Sequence, residues 1–127
     1  MHIDRLDHLV LTVADVDRTC RFYQEILGCE PMTFADDRRA LIFGRQKINL
    51  HRLGKEFEPR ALRPTAGSGD LCFIATTPLE TVIQELRDKN IAIEVGPVAR
   101  TGALGPMRSI YIRDPDQNLV EISNYDA

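Results

Sequence analysis

Four residues of this chain, His8, His51, Asp70 and Glu121, are of the types that can hold a metal ion together. Each stands next to an apolar residue in a strand-like run: His8 before Leu9, His51 after Leu50, Asp70 before Leu71 and Glu121 after Val120. Successive side chains of a strand point to opposite faces, so if the apolar neighbours face a core, all four ligand-type residues face away from it. Two neutral imidazoles and two carboxylates around a divalent ion form a cluster of zero net charge. A half-buried pocket tolerates such a cluster far better than unpaired carboxylates. This N2O2 donor set suits Zn, Ni, Co, Mn or Fe with water completing the sphere, and donor softness does not choose among them. Asp70 has a second reading, as a hydrogen-bond partner that orients a ligating His or as a cap on the turn before it.

The elements that must position these residues form a repeat. Leu6 to Val13, LDHLVLTV, is rich in strand formers, with Leu9, Leu11 and Val13 on one face and His8, Val10 and Thr12 on the other. Asp15 or Asp17 can cap a following helix in which Phe22, Tyr23, Ile26 and Leu27 recur at helical spacing, and Gly28 ends it. Strands are expected at Glu30 to Phe34, Arg39 to Phe43 and Lys47 to Leu53. The same βαβββ order returns with a strand in GDLCFIA, a helix from Pro78, and strands at Ile91 to Val95, Arg108 to Arg113 and Leu119 to Ser123.

The expected organisation is therefore one domain, residues 1–127, with module one at 4–53, a Gly- and Pro-bearing linker at 54–69 and module two at 70–125. Its fold class is α+β, two paired βαβββ modules forming a curved, partly open eight-stranded mixed sheet with the helices outside. Aligning DHLVLTV with GDLCFIA sets His8 against Asp70. Aligning INLHRL with NLVEIS sets His51 against Glu121, so the four candidates occupy two equivalent positions in each module. The turn DPDQN, Asp114 to Asn118, launches the strand that carries Glu121, because Pro115 presets φ and the Asp and Asn side chains bond to nearby backbone.

Composition narrows the class. At 127 residues, 43% hydrophobic and with net charge −3, the chain can bury a core and shows no basic block that would track a phosphate backbone. Nucleic acid is not expected as a partner. No apolar run approaches the roughly 18 residues of a membrane span, and MHIDRLDH lacks the regions of a signal peptide, so a soluble cytoplasmic protein is expected. Cys20, Cys29 and Cys72 are odd in number and lack zinc-ribbon spacing, which points to buried small hydrophobes.

The two βαβββ modules, the opening LDHLVLTVADVDRTCRFYQEILG and the closing DPDQNLVEISNY resemble the vicinal oxygen chelate superfamily, which includes glyoxalase I, bleomycin-resistance proteins, fosfomycin-resistance enzymes and extradiol dioxygenases. The resemblance covers nearly the whole chain. With GKEFEPRA and GPMRSIYIRDPD, the chain looks like small glyoxalase-domain proteins labelled lactoylglutathione-lyase-like or virulence-related. The resemblance carries the family's first-strand ligand onto His8 and its terminal-strand Glu onto Glu121. The chain has His51 where glyoxalase I usually offers Glu, and Asp70 where it usually offers His.

The resemblance implies one divalent metal ion, a small oxygenated or thiol-conjugated substrate, enediolate chemistry of lyase or isomerase type, and Glu121 as both ligand and catalytic base. It leaves two alternatives: an iron-dependent ring-cleaving dioxygenase, since two His and one Glu resemble a facial triad, or a metal-free protein that sequesters a small molecule. A homodimer is expected, with modules pairing within one chain or across two. Tyr111 has the aromatic body and hydroxyl of a substrate-orienting group, and since Arg108 lies on the opposite strand face only one of them can face a cavity. Thr101 to Pro106, TGALGP, reads as a surface connection or a lid, and Arg60 and Arg63 could meet an anion or stay solvated.

Overall fold

A computed structural model describes residues Met1 to Asp126, and these form two compact units, Met1–Gly67 and a second beginning at Ser68. Both have the βαβββ order, and the class is α+β. In the first, β1 (His8–Val13) leads to α1 (Val16–Glu25), β2 (Glu30–Phe34), β3 (Arg38–Phe43) and β4 (Gln46–Arg52). In the second, β5 (Asp70–Ile74) leads to α2 (Leu79–Asp88), β6 (Val95–Gly102), β7 (Gly105–Arg113) and β8 (Leu119–Tyr125). The strands make two four-stranded mixed sheets, ordered β1-β4-β3-β2 and β5-β8-β7-β6. In each sheet the first strand runs parallel to the last, β1 with β4 and β5 with β8.

Local chemistry accounts for the helix ends. The Asp15 carboxylate accepts the Arg18 amide at 3.0 Å from an extended backbone, which makes it the N-cap of α1. Gly28, at φ +71°, takes the left-handed conformation that turns the chain out of that helix. The start of α2 follows Pro78, which has no side chain able to cap it. The cap comes instead from β8: Asn124 Oδ1 accepts the Leu79 amide at 2.6 Å, while its amide nitrogen donates to the Ala75 and Thr77 carbonyls.

The helices define the faces of the sheets. α1 packs on β2, β3 and β4, and Arg39 of β3 reaches Asp17 of α1 at 2.9 Å, so the side holding Leu41, Ile48, Leu50 and Leu11 is the buried one. α2 packs on β8, and Arg108 of β7 reaches Glu80 of α2 at 2.7 Å, which places Ile110, Ile112, Val120 and Ile122 on the buried side of the second sheet. Residues of the opposite parity in every strand lie on the face away from the helices.

One expectation changes here and one is refined. Ile91 to Glu94 is irregular rather than strand, and the surface connection at Thr101 to Pro106 is the tip of a β6–β7 hairpin. The two glycines there serve different needs. A Cβ on Gly102 would come within 2.5 Å of the Tyr125 hydroxyl, whereas Gly105 has open space beside it but sits at φ +136°, a conformation that disfavours other residues. Pro97 is accommodated at an irregularity in the ladder between Val95 and Val98, where a missing N–H is not needed.

The DPDQN turn is built as a buried cap. Asp114, 3% exposed, accepts the amides of Asp116 and Asn118 at 2.9 and 3.0 Å and the Asn118 side-chain amide at 2.8 Å. Asn118 passes the connection on, accepting the Gly69 amide at 2.7 Å and so tying the entry of β5 to the entry of β8. Gln117 takes φ +69° within the turn. Asp114→Ala removes an acceptor from three donors, two of them on buried Asn118, and each unsatisfied buried group costs about 1–3 kcal/mol. The variant is expected to lose about 3 kcal/mol or more in urea unfolding, with the midpoint lowered and the slope unchanged.

Candidate functional site

The helix-free face of the second unit can be read in rows across β7, β8 and β5. Pairing sets Arg113, Leu119 and Asp70 in one row, Tyr111, Glu121 and Cys72 in the next, and Ser109, Ser123 and Ile74 in a third. Asp70 and Glu121 are thus diagonal neighbours on adjacent strands, on the same face. Behind Glu121 is a hydroxyl chain. Ser123 Oγ lies 3.4 Å from Glu121 Oε2 and 2.6 Å from Ser109 Oγ, and both serines are fully buried. Cys72 Sγ is 3.4 Å from the same Ser123 oxygen.

The helix-free face of the first unit has matching rows across β3, β4 and β1: Ile42, Lys47 and His8, then Ala40, Asn49 and Val10, then Arg38, His51 and Thr12. With His8 matched to Asp70, as the first strands require, the residue equivalent to Glu121 is Asn49, and His51 matches Ser123. This corrects the expected equivalence of His51 with Glu121. The strand-end alignment had the right parity but slipped by two residues, a shift that leaves every side chain on its proper face and so leaves no mark in the alternation. His51 lies beside Thr12, four residues along β1 from His8, or about 13 Å at strand rise. The structure does not bring the two imidazoles together.

Their surroundings also differ. His8 is exposed, and its Nδ1 lies 2.8 Å from Asp7 Oδ2. Because an ionised carboxylate only accepts, this pairing puts the proton on Nδ1 and leaves the Nε2 lone pair for a ligand, the arrangement typical of metal-binding His. The His8 hydrogen bond is also the main cause holding the Asp7 carboxyl below its ordinary value. Asp7 was missed in the sequence reading, although its place directly before His8 was a usable signal. Asn49 Oδ1 is buried and has no hydrogen-bond partner among the described residues, the one side-chain oxygen there in that condition.

His51 is 7% exposed, its ring edge-on to Phe57 at 5.6 Å, and Arg38 lies over that same ring at 4.5 Å. Burial, then the Arg38 charge, pushes the imidazole below its ordinary value, with Glu56 opposing. A cation beside it therefore already works against a second one. A lowered His value means that the unfolded chain binds the proton more readily, so stability is intact above about pH 6.5 and falls as pH drops below it. Chemical unfolding in chelator between pH 8 and 5 is expected to show this loss, and His51→Gln should flatten it.

Within the first unit, His8 offers an outward-facing imidazole and Asn49 an unmatched amide oxygen, and within the second, Asp70 and Glu121 offer two carboxylates; all are donor types that a divalent ion accepts. No group of three His, Cys, Asp or Glu residues is gathered for a metal among the described residues. Tyr111 stands directly across from Glu121 on the same face, and Arg108 is on the helix side, as their alternation required. Arg60 pairs with Glu58 at 2.9 Å. All three cysteines are free. Cys20 and Cys29 are buried as expected, with burial pushing the Cys29 thiol up to about 11, whereas Cys72 is exposed because its row faces away from α2. No described helix is long and apolar enough to cross a membrane.

Comparison with known proteins agrees with this architecture. The Virulence protein STM3117 of Salmonella typhimurium is 61% identical over 125 residues, covering 98% of this chain and 87% of that protein. Its crystal structure superposes with a TM-score of 0.98, at 60% identity over 99% of this chain and all of that one. Two more distant structures share the fold: a lactoylglutathione lyase from Agrobacterium tumefaciens (TM-score 0.74, 22% identity, 97% and 95% coverage) and TnmS3, an antibiotic-binding protein from Streptomyces sp. CB03234 (TM-score 0.75, 18% identity, 99% of each chain). Residues 5–122 match the Glyoxalase/Bleomycin resistance protein/Dioxygenase superfamily, and the chain belongs to that family.

Proposed function

We propose that this protein is a metal-dependent lyase or isomerase of glyoxalase type, acting on a small oxygenated or thiol-conjugated substrate. His8, Asn49, Asp70 and Glu121 are its ligands, and Glu121 is also its catalytic base. The observation that carries the reading is the matched pair of diagonal positions, His8 with Asn49 and Asp70 with Glu121, found at the same rows of both units. A bound divalent ion would supply Lewis acidity toward two neighbouring substrate oxygens. Asp7 holds the His8 ring with Nε2 outward, Ser123 holds one Glu121 oxygen, and the other Glu121 oxygen takes a proton from the carbon beside the substrate carbonyl. Tyr111, across the strand from Glu121, orients the substrate.

A second reading, a metal-free protein that sequesters a small molecule, is favoured by exposed apolar side chains on the same helix-free faces, Val10 and Ile74, at 45% and 51% exposure. The ring-cleaving dioxygenase has less support, because the two imidazoles of its triad would have to be His8 and His51, and His51 sits beside Thr12, about 13 Å along β1 from His8. Metal analysis of protein purified without chelators, followed by a screen of hemithioacetals and related enolisable adducts, separates the readings. One ion per chain with turnover supports the enzyme, and a protein that carries no ion and turns nothing over overturns it. We also propose a homodimer, since each sheet ends in strands that a second copy can cover. A monomer in sedimentation at micromolar concentration would defeat that proposal.

A further inference from the structure

The arginines of the second unit are not treated alike. Arg108 pairs with Glu80 at 2.7 Å and Arg113 with Glu94 at 3.0 Å, so each is neutralised. Arg100, on β6, has no carboxylate within 4 Å among the described residues. Its Nε instead donates to the Tyr111 hydroxyl at 2.9 Å, Nη1 donates to the Ala99 carbonyl at 3.0 Å, and the guanidinium carbon lies 5.4 Å from the Tyr111 ring centroid. Arg100 is paired in register with Met107, which shares its strand face with Ser109 and Tyr111. The arginine is thereby held along the helix-free face, toward the row that contains Glu121.

The hydrogen bond has a directional consequence. Because Arg100 is always a donor, the Tyr111 oxygen accepts, and the hydroxyl proton must be given to something else. No acceptor for it is present among the described residues, and Arg100 Nη2 likewise has none. Two donors and one positive charge therefore stand unmatched in the row of the candidate base. A planar guanidinium beside a hydroxyl donor matches the two oxygens of a carboxylate, and the charge makes those bonds roughly twice as strong as neutral ones.

We propose that Arg100 and Tyr111 form an oxyanion-binding pair, and that the substrate is a small organic acid whose carboxylate docks there while its reacting carbon meets Glu121. This deepens the proposed function and rests on it for the identity of the reactive face. Arg100 is a specificity residue, and it also positions Tyr111 by fixing which way the hydroxyl points.

The test uses two probes of equal reach and different charge, glycolate and neutral ethylene glycol, titrated into chelator-treated full-length protein and followed by the side-chain Nε–H signal of Arg100 and by backbone amides. Native protein is expected to bind glycolate at least tenfold more tightly than the glycol. Arg100→Gln should remove most of that preference, and Tyr111→Phe should remove part of it, with metal uptake of both variants equal to native. Equal binding of the two probes by native protein overturns the proposal, as does a preference that survives in Arg100→Gln. If the preference is present but the native protein never takes up metal, the enzyme reading falls and the oxyanion pair stands as part of a binding site.

Discussion

Glu121→Gln is expected to lose on the order of 10²-fold or more in turnover of any enolisable adduct the native protein converts, while keeping its metal. The amide preserves the shape of the side chain and an oxygen donor, and it still accepts from Ser123, whose hydroxyl lies 3.4 Å from Oε2. Only the ability to take a proton is gone. A carboxylate that held a cation would be a poor base, so the proton would be taken by a Glu121 oxygen free of it. The buried Ser109–Ser123 pair gives the other oxygen a fixed partner. The measurement is a pair of numbers on one preparation, metal per chain and kcat. Full activity in the Gln variant would reduce Glu121 to a ligand and reassign the proton transfer, with Asp70 the next carboxylate on the same face.

The second large effect separates the two histidines. His8→Ala is expected to weaken metal binding by on the order of 100-fold, and Asn49→Leu by about tenfold, since the first removes an imidazole donor and the second a neutral amide oxygen. His51→Ala should leave metal affinity within about twofold of native and instead lower stability, because it removes a buried ring from its contact with Phe57. Titration calorimetry with a single metal, beside urea unfolding of the same variants, reads both. The pattern is opposite to the one the strand-end alignment of His51 with Glu121 would give. Loss of metal in His51→Ala with retention in Asn49→Leu would return the ligand role to His51. Asp7→Asn adds a finer reading: it exchanges the anionic acceptor at His8 Nδ1 for a weaker one, and a loss of up to tenfold is expected without loss of fold.

The sequence by itself determined the element order and the faces. Alternation in LDHLVLTV and NLVEIS is a statement about which side of a sheet each residue occupies, and it depends only on the pleat. It therefore held for His8, Asp70, Tyr111 and Glu121 wherever the strands went. Asp15 at the head of α1, Gly28 at its end and the DPDQN turn were also legible, because caps and turns are decided by a few adjacent residues. Three things needed the tertiary structure. The strand beginning at Val95 and its hairpin were hidden in part because Gly102 answers to the Tyr125 side chain, more than twenty residues later in the chain. The cap of α2 was hidden because Asn124 supplies it from another strand. Above all, pairing register was undetermined. A slip of two residues preserves every face and every burial pattern in the sequence, and only the ladder of hydrogen bonds between β1 and β4 fixes that Val10, not a residue two places away, lies beside Asn49. That ladder decides which polar side chain of the first unit stands where Glu121 stands in the second.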